Sequence, residues 1–529
     1  MKYGVTLLYL GSVFLTSEKL VNKEQDPKFY FTGIGAAALF VLVGLLGMRK
    51  SDIDNAVKAG LFIKLIFGVG LVQAIFGGLQ YLDIFQSNNT AFPITGSFDN
   101  PAGYAAVLAL SLPFGLYLYD ISKGNERNLI VISLVFLCVS IVLAESRTGM
   151  LAMLASFLVF VGITKGRALK LTGKKKVLIL SVVAFILISF CLLLYWTKKD
   201  SADGRLLIWK VSLEMIRDLP LLGFGLDGFK ANYMDYQAKF FESNPESEYS
   251  ILADNVMHSF NEFLLLTVKF GLLGLLFVLF SIGYLIFKIA KSRSLFRSLT
   301  LSGLTGFFVL ASFSYPLDYA ACWLLLAVFL AMGLPGYEIK IKRKQRSLLR
   351  LTMVLVGCWS MVHFYHQAKA EIQWKEIAVS SLQGKTEEMM MEYRKLYPKL
   401  KNNPYFLYNY AAELNVLHRY EDSNLVLEEC KKKLNDFDVQ LLLADNYSEL
   451  DAIEKAEQHF EKASRMIPNR FYPLYRLVKI YERNGNIKQA TLLAEGLLEK
   501  EVKVESSIID AIKREMREFV EKNSVSAAL

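Results

Sequence analysis

The chain has 529 residues, 53% of them hydrophobic, 21% charged and 13% aromatic, with a mean hydropathy of +0.33 and a net charge of +10. Such a composition excludes a disordered, collagenous or disulfide-stapled protein and is too apolar for an ordinary soluble enzyme. The positive balance does not point to nucleic acid either, because Lys and Arg cluster in short connections between apolar runs, where they set membrane topology.

A membrane-spanning helix needs about 20 mainly apolar residues. Taken in chain order, that rule yields segments near 3–17, 30–48, 59–79, 102–119, 128–145, 148–164, 177–196, 259–287, 298–314, 319–335 and 348–366, eleven in all. The first is short, but the small-residue pattern of a cleaved signal peptide is poor behind it. Loops 49–58, 120–127, 165–176, 288–297 and 336–350 carry 21 Lys and Arg residues, whereas the alternate loops 18–29, 80–101, 146–147 and 315–318 carry four. The positive-inside rule therefore puts the first set in the cytoplasm and the second outside. The long loop 197–258 and everything after residue 367 fall on the outer side.

Behind the last span the chain turns hydrophilic and repetitive. Ala378, Ala411, Ala444 and Val478 are spaced by 33, 33 and 34 residues. Leu414, Tyr447 and Tyr481 form a second column, and Ser423, Ala456 and Ala490 a third, with Pro404 and Pro468 at repeat ends. A period of about 34, with small residues where two helices cross, resembles tetratricopeptide repeats. The expected fold is all-α: a polytopic membrane domain over 1–366, with 197–258 as a large outer loop, followed by a TPR-like solenoid over 367–529. Such arrays bind partner proteins, here an envelope protein on the outer side.

Sidedness also filters the candidate chemistry, since polar groups at the outer boundary are not explained by topology. Arg147 lies in the tight outer turn Glu145-Ser146-Arg147-Thr148-Gly149, with an arginine snorkelling to lipid headgroups as the alternative. Arg205 opens a helical stretch to Asp218 whose Leu206, Ile208, Trp209, Leu213 and Ile216 fit an amphipathic helix lying on the membrane, where headgroup binding is the plainer reading. Gly223–Gly228 matches GxGxxG, but no strand precedes it, so its glycines serve a tight turn. His258, one of five histidines, opens the eighth span, with Glu262 four residues on and therefore on the same helical face. An interfacial histidine is the alternative, as His363 and His366 illustrate. The segment Thr95–Gly103 reads as a turn into the fourth span. The five cysteines form no CxxC or metal spacing. No Walker loop, HExxH or GxSxG occurs in a suitable context, and intramembrane charges are too few for a proton relay.

Taken in order, the Gly-Ser-Phe-Asp-Asn-Pro turn at 96–101, Ser146-Arg147-Thr148-Gly149, Arg205-Leu-Leu-Ile-Trp209, Pro220-Leu-Leu-Gly-Phe-Gly225, His258-Ser-Phe-Asn-Glu-Phe-Leu264 and Phe270-Gly-Leu-Leu-Gly-Leu-Leu276 resemble the O-antigen ligase family, which includes O-antigen polymerases and protein O-oligosaccharyltransferases. The resemblance runs over roughly 30–335. The chain departs from it where the usual His-Asn pair reads His258-Ser259, and where Lys269 replaces an acidic residue. It implies a metal-independent, cofactor-free glycosyltransferase of lipopolysaccharide or polysaccharide biosynthesis in the bacterial inner membrane, with its C-terminal domain periplasmic. The donor would be a glycan on undecaprenyl pyrophosphate, and the acceptor a glycan, a lipid A core or a protein hydroxyl. Arg147 and Arg205 would clamp the pyrophosphate, and His258, oriented by Glu262, would act as base, with Asn100 and Gly225 in support. The two guanidinium groups and the imidazole are expected in one outward-facing pocket. A flippase of lipid-linked saccharides is the rival reading, and a membrane anchor for a functional solenoid is a third.

Overall fold

The computed structural model describes residues 2–46, 56–165, 191–292, 294–334 and 342–527, together with residues 181 and 189. The described residues are helical with irregular connections, so the all-α expectation holds. Two compact units divide them. The first comprises Met1–Leu194, Phe260–Glu262 and Phe277–Glu376, and the second Tyr195–Ser259, Phe263–Leu276 and Ile377–Leu529.

The first unit begins with α1 (Lys2–Phe14), α2 (Asp26–Leu46), α3 (Ala56–Tyr81), α4 (Pro101–Ile121), α5 (Gly124–Leu143) and α6 (Arg147–Lys165). Among the described residues, seven helices are long and apolar enough to cross a membrane and three apolar ones are shorter. Ten of the sequence-derived segments fall on them, and the remaining one, 177–196, lies largely outside the described residues. The protein is an integral membrane protein by this measure. Helix α4 is the hub: α3, α5 and α6 pack around it, and nearly all its side chains from Gly103 to Leu118 are buried. Two later helices, α10 (Arg297–Phe313) and α11 (Ala320–Gly333), close the ring against it. Helices α6 and α10 are joined by a reciprocal pair of bonds, Ser156 Oγ to the Ser302 carbonyl at 3.1 Å and Ser302 Oγ to the Ser156 carbonyl at 2.7 Å. Small hydroxyl residues suit this role, because apolar side chains gain little by leaving lipid whereas close backbones and hydrogen bonds still hold helices together.

Helix α9 (Glu262–Lys291) passes through both units and is broken at Gly271, whose φ of 65° and ψ of −172° are not helical. Its later half leaves Phe277, Phe280, Tyr284 and Phe287 exposed, as lipid would require. Helix α12 (Arg343–Ser380) is 38 residues long and leads from the last apolar segment into the tail.

In the second unit, α7 (Lys199–Asp218) packs on α8 (Gly228–Ser243). The buried stripe of α7 is Leu207, Ile208, Val211 and Met215, leaving Leu206 and Leu213 exposed. Of the residues read as an apolar face, Ile208 joins this stripe, Trp209 and Ile216 are half-buried, and Leu206 and Leu213 stay exposed. The tail consists of α13 (Thr386–Leu400), α14 (Pro404–Val416), α15 (Tyr420–Lys431), α16 (Phe437–Glu449), α17 (Ile453–Met466), α18 (Tyr472–Arg483), α19 (Ile487–Glu499) and α20 (Ser507–Ala527), each packed on the next. Ala411, Ala444, Val478, Ser423, Ala456 and Ala490 are fully buried where these helices meet. Gly384, His418, Asp451 and Gly485 all adopt positive φ, at spacings of 34, 33 and 34 residues. A buried amide chain runs through three helices, Asn415 to Asn446 at 2.6 Å, then Asn446 to Ser423 at 2.9 Å and to Asn424 at 2.8 Å.

Candidate active site

In the first unit the turn ahead of α4 is fixed almost atom by atom. Gln80 Oε1 accepts from the backbone N–H groups of Thr95 at 3.1 Å and Gly96 at 2.7 Å, and Gln80 Nε2 donates to the Gly96 carbonyl at 3.0 Å. Lys28, 2% exposed, donates to the Ser97 carbonyl at 2.5 Å and stands 4.6 Å from the Phe98 ring centre. Asn88 and Asn89 donate to the carbonyls of Phe98 and Asp99 at 3.1 and 3.2 Å. Every carbonyl from Gly96 to Asp99 thus receives a side-chain donor, which goes well beyond ordinary turn chemistry.

That turn ends at Asn100, the N-cap of α4. Its Oδ1 accepts from the N–H groups of Ala102 at 2.8 Å and Gly103 at 3.3 Å, and from the Tyr319 hydroxyl at 3.0 Å. Its Nδ2 donates to the Tyr315 hydroxyl at 3.2 Å. Tyr315 and Tyr319 stack with ring centres 5.8 Å apart, and Phe260 meets Tyr315 edge-on at 5.3 Å. Burial, with Asp99 and Asp318 adding to it, raises the Tyr315 hydroxyl pKa and keeps it a hydrogen donor. Glu262 belongs to the same cluster, accepting from the Leu317 N–H at 3.0 Å. Sequence reasoning missed the two tyrosines, which in an outer loop look like ordinary interfacial aromatics.

Arg147 is the first residue of α6 and half-buried, donating from Nη1 to the Leu194 carbonyl at 3.2 Å. The next residue, Thr148, donates to the Phe313 carbonyl at 3.2 Å and ties this corner to the end of α10.

In the second unit, Arg205 and Trp209 lie one turn apart on α7. Trp209 Nε1 donates to the carbonyl of Ser259 at 3.0 Å, which brings the α7 face carrying Arg205 to the strap carrying His258. Both candidate side chains are half-buried. The helix does not open at His258 as expected. Residues 253–261 are irregular, Phe260 takes a φ of 53°, and α9 starts at Glu262. The shared helical face inferred for His258 and Glu262 therefore does not exist, because the intervening backbone is not helical.

Gly225 sits where 220–225 pairs with the break in α9. The N–H groups of Phe224 and Gly225 donate to the carbonyls of Val268 at 2.8 Å and Lys269 at 2.9 Å, while the N–H groups of Leu272 and Leu273 donate to Pro220 at 2.7 Å and Leu221 at 3.4 Å. The four backbone groups that a helix break leaves unpaired are satisfied by one loop. Among the described residues, no group of three or more His, Cys, Asp or Glu side chains is placed to hold a metal ion.

These features define a polytopic α-helical membrane protein in which polar residues at the helix ends are held by dense hydrogen bonding. Residues 132–279 match the family model described as O-antigen ligase, which bears out the resemblance read from the sequence over that stretch. The match supports a membrane glycosyltransferase of the O-antigen ligase or polymerase type in general. No curated protein matches the chain.

Proposed function

We propose that this protein transfers a glycan from undecaprenyl pyrophosphate to an acceptor hydroxyl on the periplasmic side of the bacterial inner membrane, with O-antigen ligation as the first assignment. The acceptor oxygen attacks the anomeric carbon, its proton passes to His258, and the bond from that carbon to the pyrophosphate oxygen breaks with its electron pair leaving on the phosphate. Arg147 and Arg205 neutralise the charge that grows there, as bidentate guanidinium donors do for phosphate oxygens. A direct displacement of this kind inverts the anomeric centre. Glu262 and Asn100 support the outer rim, and Gly225 supports the turn at 220–225.

The observation that carries the reading is that the stretch matching the O-antigen ligase model, 132–279, contains Arg147, Arg205, Gly225, His258 and Glu262 together. Asn100 lies outside it. The tail, 367–529, is read as a periplasmic TPR-like solenoid offering a surface to an envelope partner. Its support is the 33- and 34-residue recurrence of both buried small side chains and positive-φ turns.

The test is glycan transfer by the purified protein in detergent, from an undecaprenyl-pyrophosphate-linked oligosaccharide to an envelope acceptor fraction. Arg147→Ala, Arg205→Ala and His258→Ala are each expected to abolish product while the protein still inserts and purifies. Full activity in all three removes the site. A flippase would yield no product from the unaltered protein in this assay.

A further inference from the structure

Within the second unit, the segment 250–257 has little regular structure beyond the short turn Ser250–Leu252, and it runs directly into His258. Tail residues grip it at almost every step. Asn469 Nδ2 lies 3.1, 3.2 and 2.7 Å from the carbonyl oxygens of Ser250, Ile251 and Ala253. Asn255 accepts from the Phe437 N–H at 3.1 Å and donates to Asp438 Oδ2 at 3.0 Å. Asp254 pairs with Arg470 at 3.3 Å, and the Tyr405 hydroxyl is 4.0 Å from Met257 Sδ. On the far side of His258, the Ser259 carbonyl is held by Trp209.

The same tail surface holds the loop further upstream. Gln237 Nε2 donates to the Met466 carbonyl at 2.6 Å, Lys462 pairs with Asp235 at 2.7 Å, and Arg465 pairs with Glu242 at 2.5 Å. In all three ion pairs the loop supplies the acid and the tail the base. This complementarity fixes register more than it adds stability, since exposed pairs are each worth only about 0–1 kcal/mol.

We infer that the C-terminal helical tail acts in cis as a clamp that sets the position of His258, with Asn255 and Asn469 as positioning residues. The inference rests on the reading of His258 as the base. A general base must reach its proton at about 2.6–3.2 Å, and a misplacement of about 1 Å can cost about 10²-fold in rate. An irregular strap cannot hold an imidazole to that tolerance by itself, whereas one bonded to three tail elements and to α7 can. The loop-facing surface of the tail is thereby taken, and an envelope partner has to use the rest.

The test uses the full-length protein in detergent, with undecaprenyl-pyrophosphate-linked oligosaccharide as donor, an envelope extract as acceptor source, and released undecaprenyl pyrophosphate as the rate readout. Asn255→Asp sets a carboxylate against Asp438. It is expected to lower kcat about tenfold or more with little change in donor KM, and to speed amide exchange over 253–261. Adding Asp438→Asn restores a donor and acceptor pair with the roles reversed, and both readouts are expected to recover. Unchanged kcat and exchange in Asn255→Asp overturns the clamp, as does a folded double variant that fails to recover. His258→Ala separates the two readings. If it stays fully active the base assignment fails, and the exchange data still decide whether the tail holds the strap. If it is inactive while Asn255→Asp behaves normally, the clamp alone fails.

Discussion

A β-carbon placed on Gly271 would lie 2.1 Å from the carbonyl carbon of Leu221, and one on Gly223 would lie 2.5 Å from the carbonyl oxygen of Val268. The break in α9 and the segment 220–225 are therefore one piece of structure, with two backbones closer than any side chain would permit. The glycines also supply the positive φ that the crossing requires, 65° at Gly271 and 68° at Gly223.

Gly271→Ala is accordingly expected to be among the most damaging single changes in the chain. Neither backbone can give by the distance needed, so protein yield and thermal stability in detergent should both fall sharply. Gly225→Ala provides the contrast. Its φ of 87° is strained for any other residue, but a β-carbon there meets nothing within 4 Å. A cost of about 1–3 kcal/mol is expected, with folded protein still recovered. Size-exclusion thermal melts of the two variants provide the comparison.

Asn100 combines a helix cap with a side-chain link from the start of α4 to the tyrosine pair of the 315–319 loop. Asn100→Ala removes the cap, worth about 1 kcal/mol, and strips both phenol hydroxyls of this partner. Asn100→Asp keeps an acceptor for the cap and for Tyr319, and the Tyr315 hydroxyl can turn to donate. The expected order of thermal stability is Asn, then Asp, then Ala. Transfer activity should follow the same order if this rim shapes the site.

Much of this molecule was legible in the sequence because the physics is local. Twenty-residue apolar runs, a Pro after Asn100 and small residues at a fixed period each state their own consequence. The parts that were not legible depend on distant partners. Tyr315 and Tyr319 gain meaning only from Asn100, more than 200 positions away, Asn255 only from the start of α16, and Asn469 only from the strap at 250–253. The row of α7 that would be buried was decided by α8. The start of α9 at Glu262 follows from a left-handed Phe260, a conformation that no aromatic residue advertises. In the tail, one recurring column is invisible in the sequence because it is conformational: Gly384, His418, Asp451 and Gly485 share a backbone state but not one residue type.

That column makes its own prediction. Left-handed backbone costs a non-glycine residue about 1–2 kcal/mol. His418, at φ 56°, meets that cost in a position where two of its counterparts are glycine, and its side-chain bond, Nδ1 to the Tyr420 hydroxyl at 2.7 Å, is exposed. His418→Gly is expected to raise the melting temperature modestly, because relief of strain outweighs an exposed bond that water can replace. A lower melting temperature would mean that the His418–Tyr420 bond matters more than the backbone strain.

His459 carries the clearest pH dependence in the tail. It stacks on Tyr447 with ring centres 5.4 Å apart, and its Nδ1 lies 2.7 Å from Gln440 Oε1. Burial, aided by Lys431, Lys462 and Lys455, pushes its pKa down to about 4, against about 6.5 in an unfolded chain. The unfolded state therefore binds more protons than the folded state between those two values, so this group's contribution is complete above about pH 6.5 and is lost as pH falls toward 4. Asp436 and Asp445 act in the opposite sense over nearly the same range. Burial first raises both to about 6, so stability from them declines as pH rises from about 4 to 6. The two effects mask each other in the unaltered protein, and a single substitution should separate them. His459→Phe keeps the ring stack and removes the proton site. Its melting temperature is expected to fall below that of the parent at pH 7, and to match or exceed it at pH 4.5. A difference between the two proteins that stays constant over that range would show that His459 does not change its proton binding on folding.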